Sequence, residues 1–183
     1  MPNAFVSEGD WSDHTRSHPA LEWFEPVVTN IFDKKAFDTP YSEIYTDDMN
    51  FTKSDGTVVH GGKAAWAEVA NLWAPCASYR TVPEYAVVTE TDFGWDMLST
   101  AHSYMNLLAP GNERKVKDEH GQEWDLKITA GWRFQFRKDA GGISNGIRIQ
   151  KIQMTMDSLP AVALMVRRGM VKPEESFLLG RGA

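Results

Sequence analysis

From Trp124 to Arg137 two kinds of residue alternate. Leu126, Ile128, Ala130, Trp132, Phe134 and Phe136 form one set, and Asp125, Lys127, Thr129, Arg133, Gln135 and Arg137 form the other. Side chains of an extended strand point to opposite faces in turn, so this period of two predicts a strand with one packed face and one wetter face. Three more long β-type segments accompany it: Tyr79 to Thr91, Trp95 to Ala109 and Ile147 to Thr155. Phe93-Gly94, a polar loop from Pro110 to Gln122 and a Gly-rich turn from Asp139 to Gly146 separate them. A sheet that commits one face to a core needs a cover.

The first half of the chain supplies that cover. Ser17 and Pro19 read as a helix start, and Leu21, Phe24, Val27, Val28, Ile31 and Phe32 recur near helical spacing up to Asp33-Lys34-Lys35. Pro26 predicts that this helix is kinked, or begins, at that point. A short helix is expected over Tyr41 to Tyr45, ending at Asp47-Asp48. Met49 to Lys53 and Thr57 to His60 flank Ser54-Asp55-Gly56 and predict a hairpin, because Asp-Gly supplies the positive backbone angles of a tight turn. Beyond Gly61-Gly62, the residues Ala64, Ala65, Trp66, Val69, Leu72 and Trp73 predict an amphipathic helix up to Pro75. After the last strand, Asp157-Ser158 open a helix that stops at Arg167-Arg168-Gly169. Long meander strands after a helical half predict an α+β domain whose curved antiparallel sheet curls around its helices. The expected division is a flexible N-terminal arm over 1–17, one domain over 18–170 and a C-terminal tail over 171–183.

Composition excludes several function classes. A chain of 183 residues can bury a core without disulfides or metals. Acidic residues outnumber Lys plus Arg by 25 to 19, a formal charge of −6, and no basic stripe interleaves with aromatics, so nucleic acid is not an expected partner. Cys76 is the single cysteine, which leaves no intrachain disulfide and no cysteine metal cluster. Met1 to Arg16 lacks the apolar core of a secretion signal, and the apolar run Leu159 to Val166 is far short of the roughly 20 residues of a membrane span. A cytoplasmic protein with no membrane partner is expected. His14 and His18 lie beside Pro19 without further ligands in register, so no metal is expected. Gly141-Gly142 with Gly146 falls between two strands and lacks the helix that a phosphate site needs, so no nucleotide cofactor is expected either.

The run Ile44-Tyr45-Thr46-Asp47-Asp48-Met49-Asn50-Phe51, then Asp55-Gly56, then His60-Gly61-Gly62-Lys63-Ala64-Ala65-Trp66 resembles the nuclear transport factor 2-like superfamily. Within it the run is most similar to the SnoaL-like, polyketide-cyclase-related branch. The resemblance covers about residues 18 to 158 and implies a cone-shaped sheet wrapped around N-terminal helices, a deep pocket and a homodimer through the sheet. That superfamily spans isomerases, dehydratases, cyclases, epoxide hydrolases and non-catalytic proteins, so the resemblance speaks to fold more than to reaction. A ketosteroid-isomerase-like base would fall late in the first strand, where Thr52 and Lys53 stand. A scytalone-dehydratase-like enzyme would pair an early Asp with a His at the start of the strand after the third helix, with a second His one strand later. Tyr79-Arg80-Thr81-Val82-Pro83 carries no His, whereas His102 is comparable to the second.

His102 is the first candidate for proton transfer, provided that Thr100, His102, Tyr104 and Asn106 face the cavity. The opposite orientation leaves it on the outer surface or at a dimer contact. Asp48, expected near the cone mouth, is a candidate base or a turn cap beside Asp47; His60 is a candidate for the same end or a structural strand-end residue. Tyr45, Tyr104 and Asn106 are candidates to steady charge on a substrate oxygen. Trp23, Trp66, Trp73 and Trp132 suit a polycyclic or aromatic ligand, with core packing the competing role for most. Glu90 and Asp157 are weaker candidates, since exposure and helix capping account for them. The function these residues suggest is cofactor-independent isomerisation, cyclisation or dehydration of a small hydrophobic polyketide- or terpenoid-like molecule. The alternative is a non-catalytic ligand-binding or dimerisation module.

Overall fold

Seven strands hydrogen-bond into one curved sheet in the order β1-β4-β5-β8-β9-β2-β3. They are β1 (Ala4–Glu8), β2 (Tyr45–Thr52), β3 (Val58–His60), β4 (Cys76–Thr91), β5 (Gly94–Leu107), β8 (Leu126–Lys138) and β9 (Ile147–Met156). A separate pair, β6 (Val116–Lys117) and β7 (Glu123–Trp124), lies within the polar stretch between β5 and β8. The helices are α1 (Asp13–Arg16), α2 (Pro19–Pro26), α3 (Tyr41–Ile44), α4 (Gly62–Leu72), α5 (Leu159–Arg167) and α6 (Pro173–Ser176), with a π-helical segment over Val27–Phe32. The computed structural model describes residues 4–139 and 146–176; the expected glycine turn at Gly141-Gly142 lies outside them.

The alternation from Trp124 to Arg137 has a direct physical result. Leu126, Ile128, Ala130, Phe134 and Phe136 are buried, and α2 lays Phe24 against both Phe134 (4.8 Å between ring centroids) and Phe136 (5.4 Å). Asp125 departs from the pattern. Its carboxylate is buried between Arg168 (2.6 Å) and Lys115 and also accepts the Leu107 N–H at 2.8 Å, which ties the end of α5 to the β5–β8 corner. Against the penalty of burial, hydrogen bonds from Arg168 and Lys115 hold its carboxyl well below the usual range.

Three local expectations change. Residues 4–8, read as part of an arm, form the edge strand β1, paired with β4 from Ala4↔Thr89 to Glu8↔Tyr85, because β4 is long enough to offer a free edge there. The sheet is not wholly antiparallel: β2 runs parallel to β9, since β9 returns to the side of the sheet that the β2–β3 hairpin occupies. The helix does not begin at Pro26 but runs through it. Proline cannot donate to the preceding turn, and the helix widens beyond it, with Asp33 N–H bonding Val28 O at 2.8 Å and Ala36 N–H bonding Ile31 O at 2.9 Å.

Two glycines are demanded by close approach. At Gly62 a Cβ would meet Thr46 O at 2.4 Å and the Tyr41 ring at 2.9 Å, so α4 packs on β2 as closely as the sequence pattern requires. At Gly94, with φ +151°, a Cβ would lie 2.2 Å from Phe136 O. Gly94→Ala is therefore expected to cost about 2–4 kcal/mol by combining backbone strain with a clash that the sheet cannot relax. Gly121→Ala has positive φ but nothing within 4 Å, and should cost only about 1 kcal/mol. Urea unfolding midpoints of the two variants check the ranking.

Candidate functional site

Inside the curve, the sheet, α2 with its π-helical extension and the N-terminal segment enclose a cavity of about 90 Å³. The wall is mostly apolar: Leu21, Phe24, Phe32, Trp73, Met97, Trp132, Phe134 and Ile152 contribute, with Ser7, Thr15, Thr81, Ser99 and Thr100 as short polar side chains. None of the described lining residues is an Asp, Glu, His, Lys or Arg. The volume suits a molecule on the scale of one ring and is well below the roughly 300–1,000 Å³ of a drug-sized site. The polycyclic ligand that the tryptophans suggested exceeds it.

Tyr45 and Tyr79 give the cavity its chemistry. Tyr45 is fully buried and Tyr79 nearly so, and neither hydroxyl finds a hydrogen-bond partner among the described residues. A buried polar atom without a partner is costly, so a group that reached and bonded it would recover that cost. Burial pushes both phenols far up, and for Tyr79 the nearby Asp33 adds to it. Both stay protonated and can donate. Tyr79 is held by stacking on Trp73 at 4.5 Å, and Tyr45 by the edge of Trp66 at 5.2 Å.

Behind Tyr79 and Thr81 stands Asp33, at the end of the π-helical segment. Both carboxylate oxygens accept the Thr81 N–H at 3.1 Å. Burial nevertheless pushes its carboxyl up to about 6, with the Thr81 bonds and the Arg80 charge opposing only part of the rise. Lys35 fixes the turn that follows: it adopts a left-handed backbone, φ 56°, and its Nζ donates to Cys76 O at 2.7 Å. The Cys76 thiol is buried and pushed up to about 11, so it is not a nucleophile near neutral pH.

The other candidates go to different places. Tyr45, Trp73 and Trp132 line the cavity. Trp23 and Trp66 are core: Trp23 meets Phe136 edge-on at 6.1 Å, and Trp66 Nε1 donates to Phe37 O at 3.1 Å. On β5 the expected orientation is reversed, since Ala101, Ser103 and Met105 are buried on the inner face. His102 therefore lies on the outer face, where Nδ1 is 2.9 Å from Thr129 Oγ1 and Nε2 is 3.8 Å from Glu84. Tyr104 joins a small outer cluster with Val82 and Trp124, and Asn106 accepts the Asp125 N–H at 3.1 Å and donates to Ser78 Oγ at 3.2 Å. Only Thr100, opposite an irregularity in β4, reaches the cavity from that set. Asp48 is exposed in a paired contact with Arg137 (3.0 and 3.1 Å), and His60 Nδ1 lies 2.6 Å from Asn50 Oδ1; neither lines the cavity. Glu90 is bound to Lys138 at 2.8 Å, and Asp157 accepts the Leu159 N–H at the start of α5. His14 and His18 serve structure, His14 Nε2 lying 2.9 Å from Val6 O and His18 Nδ1 accepting the Ala20 N–H at 3.3 Å.

Asp33, Tyr79 and Trp11 are the site residues that sequence reasoning missed. Asp33 had looked like a charged helix end, and Tyr79 like the start of a strand.

No protein-family profile and no curated protein matches the chain. Solved structures do. Hexachlorocyclohexane dehydrochlorinase LinA-type3 from Novosphingobium barchaimii LL02 superimposes with a TM-score of 0.54 at 17% identity, over 80% of this chain and 91% of that one. A protein described as a SnoaL-like polyketide cyclase, from Jannaschia sp. CCS1, gives 0.52 at 16% identity over 82% and 92%. Nuclear transport factor 2 from Cryptosporidium parvum gives 0.50 at 12% identity over 79% and 94%. The fold is thus the nuclear transport factor 2-like cone.

A carboxyl raised from 3.8 to about 6 binds its proton more tightly in the folded than in the unfolded chain. Stability is then expected to fall as pH rises from about 4 through about 6, by about 3 kcal/mol in all, and to level off above. Asp33→Asn should remove that loss, being more stable than the parent at pH 8 and equal to it near pH 4. Denaturant unfolding at the two pH values checks this.

Proposed function

We propose that the cavity receives a small, uncharged, largely apolar polyketide- or terpenoid-like molecule and that the protein acts on it without a cofactor, by proton transfer. The observation that supports this reading is the pair of phenols, Tyr45 and Tyr79, in the cavity wall, with the Asp33 carboxyl behind it on the lining residue Thr81. Two protonated phenols suit an oxygen that gains negative charge, and a carboxyl near 6 is ionised enough at neutral pH to accept a proton yet basic enough to return it. In outline, the proton leaves the carbon beside a carbonyl for the Thr81 hydroxyl, which lines the cavity and passes its own proton to Asp33, and the phenols hold the resulting enolate oxygen. Return of the proton to another carbon isomerises the molecule; loss of a β-hydroxyl as water dehydrates it. His102, Asp48 and His60 take no part in this scheme.

Binding without catalysis is the second reading. It is favoured by a lining in which no described residue carries charge. Cyclohexanone in deuterated water separates the two. Catalysis predicts deuterium entry beside the carbonyl, rising with pH through about 6, at least a hundredfold slower in Asp33→Asn and unchanged in His102→Ala. Saturable binding without exchange supports the second reading instead.

Assembly through the outer sheet face belongs to the same proposal. There Val6, Tyr85 and Leu98 are exposed, Leu98 to 59%, on the adjacent strands β1, β4 and β5, and Val6 and Leu98 both stand opposite Val87. A patch of this kind favours a self-complementary contact. Leu98→Glu is expected to convert a dimer to a monomer in sedimentation velocity while leaving the deuterium exchange intact.

A further inference from the structure

One lining group comes from a part of the chain that the sequence reads as an arm. Trp11 lines the cavity, and its Nε1–H is buried with no acceptor among the described residues. An indole N–H can only donate, so unlike a phenol it cannot be satisfied by a donor on the ligand.

The indole is also held in place. Gly9, with φ +80°, turns the chain after β1 and donates its N–H to Glu84 O at 2.9 Å. Asp10 bonds Arg80 at 3.2 Å, and Ser12 and Thr15 cap α1 reciprocally. Phe24 meets the Trp11 ring edge-on at 6.4 Å. With anchors on both sides of it in sequence, the indole is held in the wall with little left to order on binding.

We infer that Trp11 Nε1–H is a ligand-recognition group, donating to an accepting oxygen of the bound molecule, and that this molecule is an uncharged carbonyl compound about one ring in size. The inference rests on the cavity being a ligand site, as proposed above. Charge is excluded because the described lining offers no cation, and a carboxylate transferred there would lose its hydration without a counter-ion. Size follows from the cavity of about 90 Å³. The N-terminal segment thereby becomes part of the site, since Ser7, Gly9, Trp11 and Thr15 all contribute to its wall.

Three planar probes of nearly equal shape test this on the full chain: acetophenone, α-methylstyrene and benzoate, titrated by calorimetry against the parent and Trp11→Phe. The expected result is that the parent binds acetophenone in preference to α-methylstyrene and does not bind benzoate. Trp11→Phe should weaken acetophenone by about 5- to 10-fold, the scale of one buried hydrogen bond, and leave α-methylstyrene unchanged or tighter. Equal weakening of both probes would reduce Trp11 to packing, and no change would remove it from recognition; either overturns the inference and leaves the ligand site standing. Binding of none of the probes by the folded parent overturns both. Should Trp11→Phe fail to fold, the indole N–H resonance of the parent, assigned through its contacts with Phe24, provides the same decision. It moves downfield with acetophenone and not with α-methylstyrene if the inference holds, and responds alike to both if it does not.

Discussion

β4 is longer than the strand that covers its outer edge. β1 pairs with it only from Tyr85 to Thr89, so the stretch from Cys76 to Pro83 has a partner on one side alone. Backbone N–H groups on a half-covered edge need acceptors, and a proline within such a strand has none to offer the ladder. β4 meets both demands at one place. A register shift between Pro83 and Tyr85 bends it, Glu84 presents its carbonyl to Gly9, and the Thr81 N–H takes the Asp33 carboxylate. The turn that carries Trp11 and the carboxyl beside Tyr79 are both consequences of that edge.

The cavity combines an apolar wall with residues whose buried polar atoms are unpaired, and under the proposed function that combination is the source of its discrimination. Hydrophobic contact alone separates molecules weakly by shape, whereas an orphaned buried donor penalises any occupant that cannot accept from it. Tyr45, Tyr79 and Trp11, each with such an atom, stand in the wall from β2, β4 and the turn after β1. The charged residues of the protein are largely paired elsewhere: Arg168 with Asp125 and Glu113, Arg133 with Asp96, and Arg80 with Asp10, Asp118 and Glu119. The cluster of Asp10, Glu119 and His120, close enough together for a cation, is exposed and already holds the Arg80 guanidinium against two of its three members.

Much of the fold could be read from local pattern. The four long strands lie within a few residues of their expected bounds, the Asp55-Gly56 hairpin is present, and Gly62 packs against Thr46 as a close-approach glycine should. The candidate site was far less legible. On β5 both alternating sets contain polar residues: Ser99, Ala101, Ser103 and Met105 against Thr100, His102, Tyr104 and Asn106. With so little hydrophobic contrast between them, the period of two identifies a strand without saying which face is inward. Asp33 was hidden for another reason, because a charged residue at a helix end is ordinarily solvated, and only the packing of that end against β4 makes it a buried carboxyl.

The sequence by itself determined what was local or periodic: where strands and helices run, which face of β8 is apolar, and where a side chain would not fit. Those follow from backbone sterics and from the cost of exposing apolar surface, both of which act residue by residue. Only the tertiary structure decided which polar groups meet. Asp33 and Thr81, Gly9 and Glu84, or Tyr45 and Tyr79 are far apart in the chain, and what joins them is the register of β4 with its neighbours and the widening of a helix after Pro26. Hydrogen bonding and desolvation depend on distances of a few ångströms in the finished fold, and no local pattern encodes those distances.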